Sequence, residues 1–315
     1  MRTVFILNPH AGHNRRRPGL RQQLREFAAA GPSEAVVEVT EGPGHARELA
    51  TAAVQAGAEV VAAVGGDGTM NEVAQGLLGA PAALALVPCG SGNGLALHLR
   101  IPRSLTGALR LAADPDAAVR EIDSGEVAGL PFFNAMGIGL DAEISRRFNR
   151  LTRRGLPAYL RAGWGAWQER RPVQCTLEVG SERRALSALL VSVLNSDQYG
   201  NHARVAPGAE VDDGELDLVA VTATGLLRVA RLMPHLFLGS LDSSVPGLLR
   251  RSARRFALVR PAAGPLHTDG EVHPGPARLE VVIRPRSLRV LVPGVPGRLA
   301  APIDQAARSF ALLIP

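Results

Sequence analysis

The stretch Val64-Gly65-Gly66-Asp67-Gly68-Thr69-Met70-Asn71-Glu72 constrains this 315-residue chain more than any other. Before it, Glu59 to Val64 is an apolar run with one charge at its edge, which reads as a buried strand feeding a glycine turn. Gly65, Gly66 and Gly68 lack a Cβ, so the backbone there can take positive φ and bring its N–H groups close to a ligand. Behind the turn, Asn71 to Leu78 carries apolar residues at Val73, Leu77 and Leu78, a helical spacing. Converging amides and the dipole of a starting helix attract an anionic oxygen together, so the turn is a candidate phosphate site. Asp67 inside it would repel a phosphate unless a divalent cation lay between, which argues for Mg²⁺. The alternative is a structural Asp that caps the helix.

The same arrangement recurs along the first half. Thr3 to Leu7 is a β-rich run ending in Asn8-Pro9-His10-Ala11-Gly12, followed by Asn14, Arg15-Arg16-Arg17 and a helix over Pro18 to Ala30 with Leu20, Leu24 and Phe27 on one face. Ala35 to Val39 alternates as a strand with Thr40 at its carboxyl end, and a helix over His45 to Ala56 comes next. Ala83 to Val87 runs into Pro88-Cys89-Gly90-Ser91-Gly92-Asn93-Gly94 and a helical stretch, Leu95 to Leu99, making Ser91 and its neighbouring amides another candidate phosphate contact. Cys89 reads as a small packed residue rather than a nucleophile. Alternating strands and helices predict a parallel sheet covered on both faces, with ligands outside the carboxyl ends of the strands. Asn8, Thr40 and Asp67 each follow one such strand.

After a short helix over Arg103 to Ala112 and the break at Asp114-Pro115-Asp116, strands dominate from Val119, which sets a boundary near Asp123 to Gly129. Phe133 to Ile138 reads as a strand, with Gly137 and Gly139 permitting close approach of a backbone or ligand. A helix with Arg146, Arg147, Arg150, Arg153 and Arg154 nearby follows. Leu156, Tyr159, Leu160, Trp164 and Trp167 then form one helical stripe, read as core packing or, in the alternative, an acceptor groove or interfacial face. Val173 to Val179, Ala185 to Leu194 and Leu216 to Val221 are strands, and Leu226 to Leu238 is a helical insertion. The acidic turn Asp212-Asp213-Gly214 either holds a hard cation or bends the chain in water. Arg250, Arg251, Arg254 and Arg255, ahead of a strand over Phe256 to Val259, suit an anionic leaflet at roughly 1 kcal/mol each or a solvated basic face. His267-Thr268-Asp269-Gly270-Glu271 is a turn between strands with two carboxylates; facing the Asp67 turn, it would set a base and a metal-facing acid in one place. Leu279 to Ile283 and Leu288 to Val292 close this half, and a tail from Pro293, with an apolar segment Ala306 to Ile314, is expected on the surface of the first domain.

Composition removes several functions. The charge is 35 basic minus 29 acidic, +6, and every basic residue is Arg. Without lysine there is no P-loop of the G-x-x-x-x-G-K-[ST] type, no protein-kinase strand lysine and no lysine Schiff base. Cys89 and Cys175 form no disulfide framework, and the eight histidines show no H-E-x-x-H or Cys-paired spacing, so a zinc site is not expected. No apolar run approaches ~18 residues, and Val4 to Leu7 is too short for a signal segment. The expectation is a cytoplasmic chain that does not span a membrane but can touch one, with no nucleic-acid partner.

Asn8-Pro9-x-x-Gly12, Gly65-Gly66-Asp67-Gly68-Thr69-x-Asn71-Glu72, Pro88-x-Gly90-Ser91-Gly92-Asn93, Asn134-x-x-Gly137-x-Gly139-x-Asp141, Asp212-Asp213-Gly214 and Asp269-Gly270-Glu271 stand in the order and spacing of a known family. Over about residues 2 to 293 the chain resembles the diacylglycerol kinase catalytic-domain family, which includes bacterial YegS-like lipid kinases, sphingosine kinases and ceramide kinases. The resemblance implies an α/β nucleotide-binding domain of the NAD-kinase and diacylglycerol-kinase type over 1–125, an antiparallel β-sandwich domain over 126–293, and a tail over 294–315. It further implies MgATP in the cleft between the domains, a lipid substrate at a membrane surface, and a homodimer among the expected assemblies. By position, Asn8, Pro9, Gly12, Thr40, Gly65, Gly66, Asp67, Gly68, Thr69, Asn71 and Ser91 would contact ATP. Glu271 would be the general base, with Asp67 and Asp269 as further catalytic carboxylates and Asp141 on the lipid. Asp213, with backbone oxygens of Leu216 and Leu218, would hold a structural Mg²⁺.

Two departures matter. Ser91-Gly92-Asn93-Gly94 stands where bacterial diacylglycerol kinases usually have Thr-Ala-Asn-Asp, and the loop is closer to that of sphingosine kinases, in which the residue equivalent to Asp67 is assigned as base. Acceptor and division of labour between Asp67 and Glu271 therefore stay open. A NAD kinase would share the central turn but not the Asn8-Pro9 start or the paired carboxylates at 269 and 271. A non-catalytic nucleotide or lipid sensor would need no base.

Overall fold

A computed structural model describes residues 1–31, 34–151, 156–169, 171–200, 203–222, 225–241 and 244–294. Arg153, Arg154 and the segment Ala306 to Ile314 lie outside them, as do the side chains of Arg150, Leu156, Tyr159 and Leu160. The chain forms two compact units. Among the described residues, one holds Met1–Gly90, Leu99–Arg120 and 288–294; the other holds Ser91–His98 and Glu121–Ser287.

In the first unit, β1 (Arg2–Leu7) leads through a 3-10 turn at Gly12–Arg16 to α1 (Leu20–Ala30), then β2 (Glu34–Val39), α2 (His45–Gln55), β3 (Val60–Gly65), α3 (Asp67–Leu77) and β4 (Ala83–Pro88). A five-residue helix, α4 (Gly94–His98), groups with the second unit, and α5 (Leu105–Ala113) returns to the first. The strand order β2-β1-β3-β4 is parallel throughout. Every residue of central β3 is buried, whereas edge strand β2 alternates exposed and half-buried, the pattern each position in a covered parallel sheet demands. Phe5, Leu7, Leu24, Val64, Val87 and Leu109 share one core.

The second unit continues with β5 (Ala118–Val127), β6 (Leu130–Phe132), β7 (Ala135–Gly139), α6 (Leu140–Arg150), α7 (Leu156–Gln168), β8 (Val173–Val179), β9 (Glu182–Ala188), β10 (Leu190–Leu194), β11 (Gln198–Gly200) and β12 (Ala203–Arg204). It closes with β13 (Leu216–Val221), α8 (Leu226–Leu238), β14 (Leu248–Ala253), β15 (Arg255–Val259), β16 (Gly264–Thr268), β17 (Glu271–Gly275) and β18 (Arg278–Val292), whose residues from Leu288 group with the first unit. One antiparallel sheet runs β14-β13-β10-β7-β16-β17. The other antiparallel set is β18-β15-β8-β9. Met136, Ile138, Val193 and Leu218 of the first share a core with Leu177, Leu186, Phe256 and Leu279 of the second, so this unit is a β-sandwich.

Several sequence-based boundaries shift. The helix expected from Asn71 begins at Asp67, so the glycine turn is shorter and Asp67 to Thr69 form the first helical turn. The helix expected from Pro18 starts at Leu20, and the strand expected from Phe133 starts at Ala135. The single strand expected over Ala185 to Leu194 is two. β9 alternates with one face in water, β10 is buried almost throughout, and the chain changes sheet at Leu189, whose N–H donates to the Val221 carbonyl at 2.7 Å. A largely apolar run, interrupted only by Ser187 and Ser192, carries no mark of such a change at Leu189. β14 was hidden by its arginines: Arg250 lies in the strand, and its guanidinium donates to Asp217 Oδ1 at 2.9 and 2.8 Å and to the Pro207 carbonyl at 2.6 Å. Arg251 and Arg255 likewise face Glu182 and Glu280. Trp164 is 58 % exposed, which removes it from the core; among the described side chains of α7, Ala162 and Ala166 are buried.

Gly125 of β5 pairs with Phe132 of β6, and the fully buried Phe132 ring lies over the bare backbone, where a Cβ would overlap the ring carbons. Gly125→Ala should therefore cost about 1–3 kcal/mol of stability by overpacking, with part recovered in the double variant carrying Phe132→Leu. A urea midpoint for Gly125→Ala equal to that of the parent would refute this contact.

Candidate active site

At the carboxyl edge of the parallel sheet, backbone hydrogen bonds tie the strand ends together. Asn8 N–H donates to the Val64 carbonyl at 3.1 Å, Thr40 N–H to Leu7 at 2.9 Å, and Cys89 N–H to Gly65 at 2.7 Å. Asn8, Thr40 and Asp67 thus follow three neighbouring strands at one edge, with Pro9 in the loop after Asn8. The Asn8 side chain shapes the loop: Nδ2 donates to Thr69 Oγ1 at 3.0 Å, and Oδ1 accepts the His10 N–H at 2.9 Å. Asn14, which the sequence marked only in passing, donates from Nδ2 to the Asn8 and Val64 carbonyls at 2.8 and 3.3 Å. Asn71 Oδ1 accepts from Gln75 Nε2 at 2.5 Å. Glu72 caps α2 by accepting the Gly44 and Ala46 N–H groups at 2.9 and 3.1 Å, so its place in the motif is structural.

The glycines let these loops touch backbone to backbone. Gly12, at φ +42°, has the Cys89 carbonyl where a Cβ would stand, and a Cβ on Gly66 would lie 3.2 Å from Gly90 Cα. Gly66 is also the N-cap of α3 and brings no side chain to it. The helix start therefore presents amides in a shallow cradle with Asp67 and Gly68 in its first turn, an arrangement chemically suited to anionic oxygens. Cys89, buried beneath, has its thiol pushed up to about 11 by burial against a small opposing effect of the Arg17 charge, so it packs and does not attack.

In the second unit, Thr268 and Glu271 close the β16–β17 hairpin around Asp269 and Gly270, whose φ values of +47° and +88° make a two-residue left-handed turn. Asp269 is fastened beneath it. Oδ2 accepts the Phe133 N–H at 2.9 Å, Oδ1 accepts the Asn134 and Ala135 N–H groups at 2.9 and 2.8 Å, and the Asp269 N–H donates to the Ala135 carbonyl at 2.7 Å. Asp141, in the first turn of α6, is 4 % exposed. Its Oδ2 accepts from Ser192 Oγ at 2.8 Å and from the Tyr199 hydroxyl, and lies 2.9 Å from His267 Nε2. Burial pushes the Asp141 pKa up, but the charge and proximity of His267 and the hydrogen bonds from Tyr199 and Ser192 outweigh it and hold the group below its ordinary value. His267, Ser192 and Tyr199 were not singled out from the sequence. The signal was Gly137, read there as permitting close approach: its Cβ would overlap Asp141 Oδ2 and lie 2.6 Å from His267 Nε2.

Ser91 groups with the second unit, apart from Asn8, Thr40 and Asp67. Its segment is held there by His98, whose Nδ1 is 2.6 Å from Asp197 Oδ1. Asp213 lies in the turn before β13, its Oδ1 accepting the Glu215 N–H at 2.9 Å. Burial raises its pKa, opposed by that hydrogen bond and reinforced by the charges of Asp217, Asp123 and Glu210. Leu216 and Leu218 follow in β13, which is paired on both sides from Asp217 onward. Among the described residues no three His, Cys, Asp or Glu side chains converge as metal ligands.

Residues 2–127 match the diacylglycerol kinase catalytic domain, and residues 134–292 match the YegS C-terminal NAD kinase β sandwich-like domain. The chain belongs to the diacylglycerol kinase catalytic-domain family. Among relatives, a probable YegS-like lipid kinase of Pseudomonas aeruginosa is 32 % identical over 265 residues, covering 82 % of this chain and 85 % of that one. A diacylglycerol kinase of Mycobacterium tuberculosis is 28 % identical over 303 residues, covering 93 % and 95 %. The crystal structure of a diacylglycerol kinase from Bacillus anthracis has the same fold, with a TM-score of 0.70 at 21 % identity over 92 % of this chain and 96 % of that one. As a member of the diacylglycerol kinase family, the chain is a lipid kinase, a phosphotransferase that uses ATP. No described helix is long and apolar enough to cross a membrane.

The three amides on Asp269 give a prediction for this lipid kinase. Asp269→Asn keeps the shape but turns an NH₂ donor toward backbone donors, and should cost about 1.5–3 kcal/mol, the range for a hydrogen bond to a charged group. Equilibrium unfolding in urea measures it, and an unchanged midpoint would mean that the amides bind elsewhere.

Proposed function

We propose that this kinase transfers the γ-phosphoryl group of ATP to a hydroxyl of a lipid such as diacylglycerol or a sphingoid base, with Mg²⁺. The observation that carries the reading is the start of α3. It has no side-chain cap, and it stands at the edge where Asn8, Thr40 and Asp67 follow three neighbouring parallel strands. Gly12, Gly65, Gly66, Gly68 and Thr69 bind the phosphates through their amides, with Asn8 and Pro9 shaping the loop and Thr40, Asn71 and Ser91 completing the ATP contacts. The donor set fits Mg²⁺: one carboxylate, Asp67, in a first helical turn, with phosphate oxygens and water filling the remaining positions as this ion prefers. When bound, the ion neutralises charge on the phosphates.

Glu271 takes the proton of the acceptor hydroxyl as the new P–O bond forms. Support comes from its place at the first residue of β17, directly after a turn that Asp269 fastens, with its side chain exposed. Asp269, both of whose oxygens accept backbone N–H groups, positions this base. Asp141 acts toward the lipid through the Ser192 and Tyr199 hydroxyls that it orients. Asp213, with the Leu216 and Leu218 carbonyls, holds a structural Mg²⁺; the crowding of its carboxylate by Asp217, Asp123 and Glu210 is what a cation would relieve.

Label transfer from γ-labelled ATP to vesicles containing diacylglycerol, to sphingosine and to NAD tests the reaction class; label on NAD alone would overturn it. Glu271→Gln should lower turnover by ~10²–10⁴, the usual worth of general-base help, with ATP binding nearly intact, and unchanged turnover would remove Glu271 from the role. Asp67→Ala should shift the Mg²⁺ requirement of turnover to higher concentration, and a titration curve like that of the parent would count against the metal assignment.

A further inference from the structure

His267 is 2 % exposed and makes two contacts with opposite requirements. Nε2 lies 2.9 Å from Asp141 Oδ2, and Nδ1 lies 3.3 Å from the Gly270 backbone nitrogen. A backbone N–H can only donate, so Nδ1 accepts, and the proton of the neutral ring is on Nε2, which is close to Asp141 Oδ2 without the alignment of a hydrogen bond to it. Asp141 is held by the Ser192 and Tyr199 hydroxyls on that same oxygen, which leaves the carboxylate little freedom to turn away. Gly137, the β7 partner of His267, supplies the bare backbone that lets the pair fit. The turn that precedes Glu271 is thus fastened twice, by the amides on Asp269 and by the ring under Gly270.

We propose that His267 is a positioning residue for Glu271: with its proton on Nε2, it accepts the Gly270 N–H and fixes the turn from which Glu271 enters β17. The proposal rests on the reading of Glu271 as base. A second proton, on Nδ1, would set two donors against each other at Gly270 and release the turn. The groups that face the ring are Asp141 from α6, Tyr199 from β11, Asp269 on the turn and His273 from β17. Burial pushes the His267 pKa down, but the charge and proximity of Asp141, with the Asp269 charge, carry it above the ordinary value. His273 is pushed the other way, by burial and by the His267 charge. The neutral ring is therefore gained as pH rises through a value above about 6.5, and turnover should rise with it.

The experiment uses the full chain, γ-labelled ATP and phosphatidylglycerol vesicles containing diacylglycerol, with kcat and the KM for ATP followed from acid to alkaline pH. His267→Asn puts an acceptor oxygen where Nδ1 stood; it should keep most of kcat and lose the acid limb that lies above about pH 6.5. His267→Gln reaches only toward Asp141; it should lose kcat by ~10- to 100-fold, the scale of a misplaced catalytic group, with the KM for ATP unchanged. Equal kcat in the two variants, or an acid limb above about pH 6.5 that survives in His267→Asn, would overturn the proposal. Thermal melting reports whether each variant folds, and if His267→Gln does not, the acid limb of His267→Asn decides alone. Glu271→Gln in the same assay separates the two readings. Its inactivity beside equal Asn and Gln variants removes His267 only, whereas its full activity removes the base and this proposal with it.

Discussion

Bare backbone is the constraint on which the first unit depends. The start of α3 has no side-chain cap, and any Cβ on Gly12 or Gly66 would push apart the loops packed beside it. The parallel strand ends supply the rigidity: β1, β3 and β4 are bonded past their last residues, through Asn8 to Val64 and Cys89 to Gly65. The polar side chains at this edge mostly hold loops. Asn8, Asn14 and Glu72 are engaged with backbone or neighbouring side chains.

The second unit solves a different problem, how to keep charge inside a sandwich. A lone buried carboxylate is destabilised by roughly several kcal/mol. Asp141 avoids that with a histidine and two hydroxyls, Asp269 with three amides, and Asp123 with the N–H groups of Gly214 and Arg286. Asp269 and Asp123 fasten turns in this way, whereas Asp141 ties α6 to β10, β11 and β16. Polar burial here serves geometry before stability.

Much of this was legible in the residues. Strand–glycine–helix repetition gave the parallel sheet, and Asn8, Thr40 and Asp67 fell at the ends of three neighbouring strands, because period and punctuation are local properties. What escaped depends on contacts far apart in the chain. Nothing near Leu189 signals that one apolar run serves two sheets, and Arg250 looked like surface charge because its partner, Asp217, sits on a different strand. Trp164 had the spacing of a core residue, yet it is exposed, and Ala162 and Ala166 are the buried ones among the described side chains of its helix. His267 carried no signal of its own, but the glycine at 137 recorded the space that the ring and Asp141 require.

Both thiols of this chain are buried, and Cys89 is held in its protonated form far above neutrality. The wild-type background is therefore close to silent toward maleimides and spin-label reagents while folded. A cysteine placed at an exposed position would be labelled selectively, so distance measurements between probes can follow the protein during turnover without first stripping its native sulfur.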